Sequence, residues 1–327
     1  MSAAITLKRI SEILGISIST VSRALKDHPD ISKRTKQKVN ELAETLDYEP
    51  NALAVNLKAK NTKLFVVIVP NFGKYFYGSF ISGIEEECQK EGYNLLILQN
   101  SDNTEVEKEN LKICRNNRVS GVFLCLCTKA NDFKEYQKML DLDIPLLFFD
   151  KVPDNPNFTR VSIDDVEAAA IGARELIKSK HKKVLAVMGN PEMSITKRRL
   201  KSFEKTIASS KINLKIEYAF NAEKAAEVSE NYIAKKKCDA IFCMSDEIFT
   251  GVMLSVQKHK INIPSDMNII TMSDGFFPKL YCPQVTYVET SGYKLAKLAY
   301  EKMRNTIKDK AVPNEYLLEP ILVKVEN

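Results

Sequence analysis

Between positions 17 and 25 the chain reads Ser-Ile-Ser-Thr-Val-Ser-Arg-Ala-Leu, which sets four hydroxyls (Ser17, Ser19, Thr20, Ser22) and one guanidinium (Arg23) within seven residues. Hydroxyls bond phosphate oxygens, and a planar guanidinium fork matches the acceptor edge of guanine. On a helix, Val21, Ala24 and Leu25 turn inward, and Ser17, Ser19, Ser22 and Arg23, all poor core residues, are left for a partner. Catalytic patterns are absent elsewhere. No G-x-G-x-x-G follows a strand-like run, no G-x-x-x-x-G-K-[ST] occurs, and His28, His181 and His259 have neither metal nor triad spacing. Cys125-Leu-Cys127 places two thiols on one face of a strand, a pattern more often core than reactive. The chemistry on offer is therefore binding, and no enzyme, cofactor or metal site is expected.

Around that segment the elements are short and helical. Thr6 caps a helix running to about Leu14, with Leu7, Ile10, Ile13 and Leu14 as its apolar stripe, and Gly15 ends it. A second helix runs from about Ser17 to Leu25 and cannot continue past Pro29. Ser32 caps a third, in which Val39, Leu42, Ala43 and Leu46 share one face. Three short amphipathic helices, the first two joined by a glycine-containing turn, make a helix-turn-helix unit. Of the net charge of +6, +4 falls on residues 1–63, with 11 Lys and Arg against 7 Asp and Glu. That concentration agrees with a nucleic-acid contact.

After Pro50 and the polar linker KAKNTK, the texture changes to apolar strands separated by helical patterns: FVVIVP, NLLILQN, SGVFLCLC, PLLFFD, RVSID, KVLAVMGN, KIEYAF, DAIFCMSD, NIITMSD and VTYVE, with YLLEPILVKV as a last strand-like segment. Strands apolar on both faces and alternating with helices predict parallel sheets covered on both sides, here two doubly wound lobes with a ligand cleft between them. At 327 residues the chain is too long for one core. No apolar run reaches the roughly 20 residues of a membrane span, and the start lacks a secretory pattern. Seven cysteines, mostly inside apolar runs, read as buried thiols in a reducing cytoplasm.

The segment ITLKRISEILGISISTVSRALKDHPDISKRTKQKVNELAETLDYEPNALAVNLK resembles the LacI/GalR family of bacterial regulators throughout, and the likeness continues through VIVPNFGKYFYGSF, RVSGVFL, VSIDD, RRLKSF, AIFCMSD and PQVTYV. The resemblance implies an N-terminal all-α reader (1–50), a hinge helix and linker (51–62) and a periplasmic-binding-protein-like core (63–327), with one lobe at about 63–161 plus 291–311 and the other at about 162–290 plus 316–325. It implies base contacts by Ile18, Ser19 and Arg23, and phosphate contacts by Thr6, Leu7, Ser17, Thr20, Ser22, Ser32, Thr35, Tyr48 and Asn51. Ala54 and Leu57 fall on the hinge helix, where a leucine from each protomer wedges into the minor groove. Val55 stands where the family usually has Arg.

For the core, the resemblance places Phe76, Tyr77, Asp164, Arg199, Phe220, Ser245, Asp246, Ser273 and Asp274 at the effector cleft. Carboxylates and a guanidinium bond hydroxyls, and rings cover the apolar face of a sugar. Each strand-end carboxylate has the alternative of capping the next helix. Ser245 and Ser273 replace an Asn and an Asp common in the family. The whole implies a cytoplasmic homodimeric regulator, a repressor in most such chains, that binds a pseudo-palindromic double-stranded DNA operator under control of a sugar-like effector.

Overall fold

The computed structural model describes residues 6–48, 62–130, 132–179, 181–309 and 314–324. The chain divides into two compact units, 1–62 and 63–327.

The first unit holds α1 (Leu7–Leu14), α2 (Ile18–Leu25) and α3 (Lys33–Thr45). Each starts on a hydroxyl that accepts a backbone N–H inside its first turn: Thr6 from Arg9, Ser17 from Thr20 and Ser32 from Thr35. Gly15 closes α1 in the left-handed conformation (φ 63°), which costs a residue without Cβ nothing and lets the chain turn straight into α2. The core is small: Ile10, Val21, Ala24, Val39 and Ala43, with Leu7, Leu14, Leu25, Leu42, Leu46 and Tyr48 packed around them.

The second unit contains two sheets. The first lobe comprises β1 (Leu64–Val69), α4 (Tyr75–Glu91), β2 (Asn94–Gln99), α5 (Thr104–Asn116), β3 (Gly121–Leu124), α6 (Lys134–Leu140), β4 (Leu146–Phe149) and β5 (Thr159–Ile163). The second comprises α7 (Asp165–Lys178), β6 (Lys183–Met188), α8 (Ser194–Ile207), β7 (Asn213–Tyr218), α9 (Ala222–Ala234), β8 (Ala240–Cys243), α10 (Asp246–Lys258), β9 (Asn268–Ser273) and β10 (Tyr287–Glu289). The chain then returns to the first lobe for α11 (Gly292–Asp309) and β11 (Glu315–Leu318), and ends in the second with β12 (Ile321–Val323).

The sheet orders are β11-β5-β4-β3-β1-β2 and β12-β10-β9-β8-β6-β7, parallel throughout except for β12, which runs antiparallel to β10. The central strands β1, β3, β4, β6, β8 and β9 are buried on both faces, whereas the edge strands β2 and β7 are half-exposed. In β1, Phe65, Val67 and Val69 join one core cluster while Val66 and Ile68 join another on the opposite side, as a two-residue repeat requires.

Three expectations need correction. YLLEPILVKV is two strands, because Pro320 offers no ladder donor and the chain crosses lobes there. Residues 316–318, expected in the second lobe, therefore belong to β11 on the first sheet, paired with β5. The first lobe also runs to Ile163 rather than stopping inside β5 at 161. Finally, six cysteines are buried but Cys282 is exposed.

Candidate functional site

In the first unit the outward face of α2 is polar and open. Ile18 is 47% exposed, and Ser19 and Arg23 are exposed as well. Among the described residues no carboxylate forms an ion pair with Arg23, so its five donors stay available. The hydroxyls are pre-set by one another: Ser17 Oγ lies 2.8 Å from both Ser19 Oγ and Thr20 Oγ1, and Ser32 Oγ lies 2.8 Å from Thr35 Oγ1. The residues that cap the helices are thus the same hydroxyls that a phosphate at a helix N-terminus would meet. Thr6 is exposed, while Leu7, Ser22 and Tyr48 are half-buried. Asn51, Ala54, Val55 and Leu57 lie outside the described residues.

In the second unit a cavity of about 1240 Å³ opens between the two lobes. Seven of the nine expected residues line it: Phe76, Tyr77, Arg199, Phe220, Ser245, Asp246 and Asp274. Phe76 and Tyr77 come from the first turn of α4, Arg199 from α8, Phe220 from the segment after β7, and the other three from the ends of β8 and β9. Strand C-termini converge here because both sheets are parallel and aim the same end at the gap.

Asp164 and Ser273 do not line the cavity. Asp164 caps α7, accepting the Glu167 N–H at 2.9 Å, so the alternative role for a strand-end carboxylate holds at this position. Its neighbour Asp165 does not line the cavity either, but it holds a residue that does. Asp165 is buried and accepts from Arg199 Nε at 2.8 Å and from Arg198 Nη2 at 2.7 Å. Arg199 also donates to the Met244 carbonyl at 3.0 Å, so its orientation is fixed before any ligand arrives. Ser273 sits behind the wall, where it donates to the Asp246 carboxylate and accepts from the Gly275 N–H at 2.9 Å.

Burial pushes the Asp246 carboxyl up to about 6, although Ser273 and the Asp274 N–H at 2.9 Å both favour the charged form. Asp274 accepts from Ser79 Oγ at 3.1 Å and from the Gly292 N–H at 2.6 Å, which ties the second lobe to α4 and to the start of α11. A Cβ at Gly292 would lie 2.4 Å from the Phe76 carbonyl, so only glycine permits that approach. Two further contacts bridge the lobes: Lys74 to Glu247 at 3.1 Å, and the Tyr75 ring stacked on Phe276 with centroids 5.1 Å apart.

Sequence reasoning missed several lining residues. Asp150 is the main one: it follows PLLFFD, is buried, and accepts from the Tyr77 hydroxyl at 3.0 Å. Burial raises its carboxyl, and the nearby Arg199 charge opposes the rise. Its signal was an acidic residue closing an apolar strand, the same signal read at Asp246 and Asp274. Lys151, buried and 3.0 Å from Asp102, and Tyr75 offered no comparable pattern.

Comparison with known proteins places both units. Residues 6–51 match the family of bacterial regulatory proteins, lacI family, and residues 62–317 match the periplasmic binding proteins and sugar binding domain of LacI family. An HTH-type transcriptional repressor PurR from Photobacterium profundum is 27% identical over 315 residues, covering 93% of this chain and 92% of its own. A lac repressor dimer bound to operator and the anti-inducer ONPF superposes with a TM-score of 0.85 at 19% identity, over 98% of both chains. A periplasmic binding protein/LacI transcriptional regulator from Alkaliphilus metalliredigens, complexed with D-xylulofuranose, gives 0.70 at 24% identity over 80% of this chain and 97% of its own. The second match alone spans well over half of the residues, and the chain belongs to the LacI family of bacterial regulatory proteins.

Proposed function

We propose that the chain is a cytoplasmic transcription repressor that binds a pseudo-palindromic operator as a homodimer and changes operator affinity when a sugar or sugar-derived effector occupies the cleft. The observation that carries the reading is the face of α2: an unpaired Arg23 beside exposed Ile18 and Ser19, flanked by hydroxyls at two helix N-termini. Arg23 reads guanine, Ile18 packs on a thymine methyl, and Ser19 bonds a base edge. Thr6, Leu7, Ser17, Thr20, Ser22, Ser32, Thr35, Tyr48 and Asn51 hold phosphates and so set the register. Residues 51–62 carry the hinge, with Ala54 and Leu57 entering the minor groove.

In the cleft, Asp150, Asp246 and Asp274 accept effector hydroxyls, Arg199 supplies a fixed donor, and Phe76, Tyr77 and Phe220 cover the apolar face. Ser245, which caps α10, lies within reach of the same space. The relative complexed with D-xylulofuranose and the one bound to operator support the two halves of this reading. Closing the lobes on an effector would alter the arrangement that favours the folded hinge.

The test is selection of DNA fragments from a random pool by the purified protein. A two-fold symmetric consensus, bound with an affinity that falls steeply with salt as counterions are released, is the expected result. Selected fragments without a common motif, or binding indifferent to salt, would remove the repressor reading.

A further inference from the structure

Three cations line the cleft, Lys74, Lys151 and Arg199, and each already has a partner. Lys74 is held by Glu247 at 3.1 Å, Lys151 by Asp102 at 3.0 Å, and Arg199 by Asp165 at 2.8 Å. Lys151 and Arg199 are buried and already bonded where they stand, Lys151 to Asp102 and Thr128 and Arg199 to Asp165 and the Met244 carbonyl, so turning either toward a ligand breaks contacts it has made. The carboxylates are in excess. Among the described residues Asp150, Asp246 and Asp274 line the same cavity with no Lys, Arg or His at ion-pair distance. They are held by neutral donors: the Tyr77 hydroxyl, Ser273 with the Asp274 N–H, and Ser79 with the Gly292 N–H.

We propose that the cleft selects its ligand by charge: it takes an uncharged or amine-bearing polyhydroxyl compound, whose O–H and N–H donors meet Asp150, Asp246 and Asp274, and refuses phosphorylated and carboxylated ones. The proposal deepens the effector reading of the cleft and rests on it. A sugar hydroxyl gives each carboxylate a donor, and an ammonium gives it a counter-charge. A phosphate finds no unengaged cation and meets three carboxylates in a space where water screens poorly. Burial already raises all three carboxyls, so further negative charge would be answered by proton uptake rather than by a partner.

The chain has no tryptophan, and Phe220 lines the cleft while 61% exposed, so Phe220→Trp installs a single indole reporter inside the site. Its emission is followed while the full-length protein is titrated with glucose, glucosamine, glucose 6-phosphate, ribose and ribose 5-phosphate. The neutral, cationic and anionic fractions of a cell extract, separated by ion exchange, follow. The expected response comes from the neutral or cationic fraction, and the phosphorylated form of any responding sugar binds roughly tenfold or more weakly than its parent. Melting temperatures of the unsubstituted protein with the same samples should rank them in the same order. A response confined to the anionic fraction, or a phosphorylated sugar binding better than its parent, overturns the charge selection and leaves the cleft reading standing. If no sample moves the emission and none raises the melting temperature of the unsubstituted protein, the cleft reading itself is overturned.

Discussion

The two units put their functional groups to opposite structural uses. In the reader the proposed base-reading side chains Ile18, Ser19 and Arg23 are exposed, and neighbouring hydroxyls build the fold by capping α1, α2 and α3 around a core of five buried residues. In the cleft the groups are withdrawn from water and already paired: Arg199 to Asp165, Lys151 to Asp102, Tyr77 to Asp150. A surface that must grip a polyanion can leave its cations free, since phosphate supplies their partners and salt tunes the grip. In the cavity the cations are paired beforehand and the remaining carboxylates are met by neutral donors, because a charge with no partner out of water costs several kcal/mol. Substitutions in the reader should therefore alter binding with little effect on folding, and substitutions in the cleft should alter both.

The sharpest challenge to this contrast is Arg199→Ala. It removes one of two arginines from the buried Asp165, so the second unit should lose about 2–4 kcal/mol of stability in urea unfolding, with the exposed Arg198 limiting the damage. The helical unit's intrinsic DNA contacts should persist. An unchanged unfolding midpoint would show that the pair is not under the load its burial implies.

Arg23→Ala comes next. It should cost on the order of 1–3 kcal/mol of operator affinity and relax preference at one base pair per half-site, measured by fluorescence anisotropy on operator variants. Thermal unfolding should not move, because among the described residues no hydrogen bond or ion pair is made by that side chain. Ser32→Ala sits between the two classes. Losing the cap of α3 should destabilise the reader by about 0.5–2 kcal/mol and weaken DNA binding about equally across sequences, with the salt slope unchanged because a neutral hydroxyl displaces no counterion.

The subtlest test, because it appears only as a dependence on pH, concerns Asp246. Its carboxyl sits at about 6 in the folded protein against an ordinary 3.8, so the fold holds a proton that the unfolded chain has released. The stability this confers is fully present below the ordinary value and is lost as pH rises through about 6. Asp246→Asn has no such dependence. Its stability relative to the unsubstituted protein should rise between pH 4 and pH 7, and urea midpoints at several pH values will reveal this. A constant difference would mean that Ser273 and the Asp274 N–H offset the burial completely.

Legibility in the sequence followed the same divide. The helices of the reader could be read almost residue by residue, because caps, turn glycine and apolar stripe are local signals. All ten expected strands of the core were legible for the same reason. Roles in the cleft were harder, since they depend on which strand end faces which. Asp164 and Asp165 are adjacent and chemically equal, yet one points back to cap α7 and the other reaches Arg199, a difference set by helix geometry and by α8 packing against α7. Asp150 carried the same strand-end signal as Asp246 and went unread for want of a pattern beside it. The division of the last strand-like segment between sheets was marked only by Pro320.

The chain crosses between lobes three times, near Asp164, at Thr290–Ser291 and at Glu319–Pro320. Neither lobe is therefore a continuous stretch of sequence, and during synthesis neither can be finished early. The first lobe has five strands before residue 164 is made, but it waits for α11 and β11 to cover α4 and close its edge beside β5. The second waits for β12 to cover β10. Both waits end within a few residues of each other, once β11 and β12 have been made. A nascent chain halted before Gly292 carries two incomplete sheets with apolar faces uncovered, a natural substrate for chaperones, whereas the reader, complete in its first 48 residues, can already be folded.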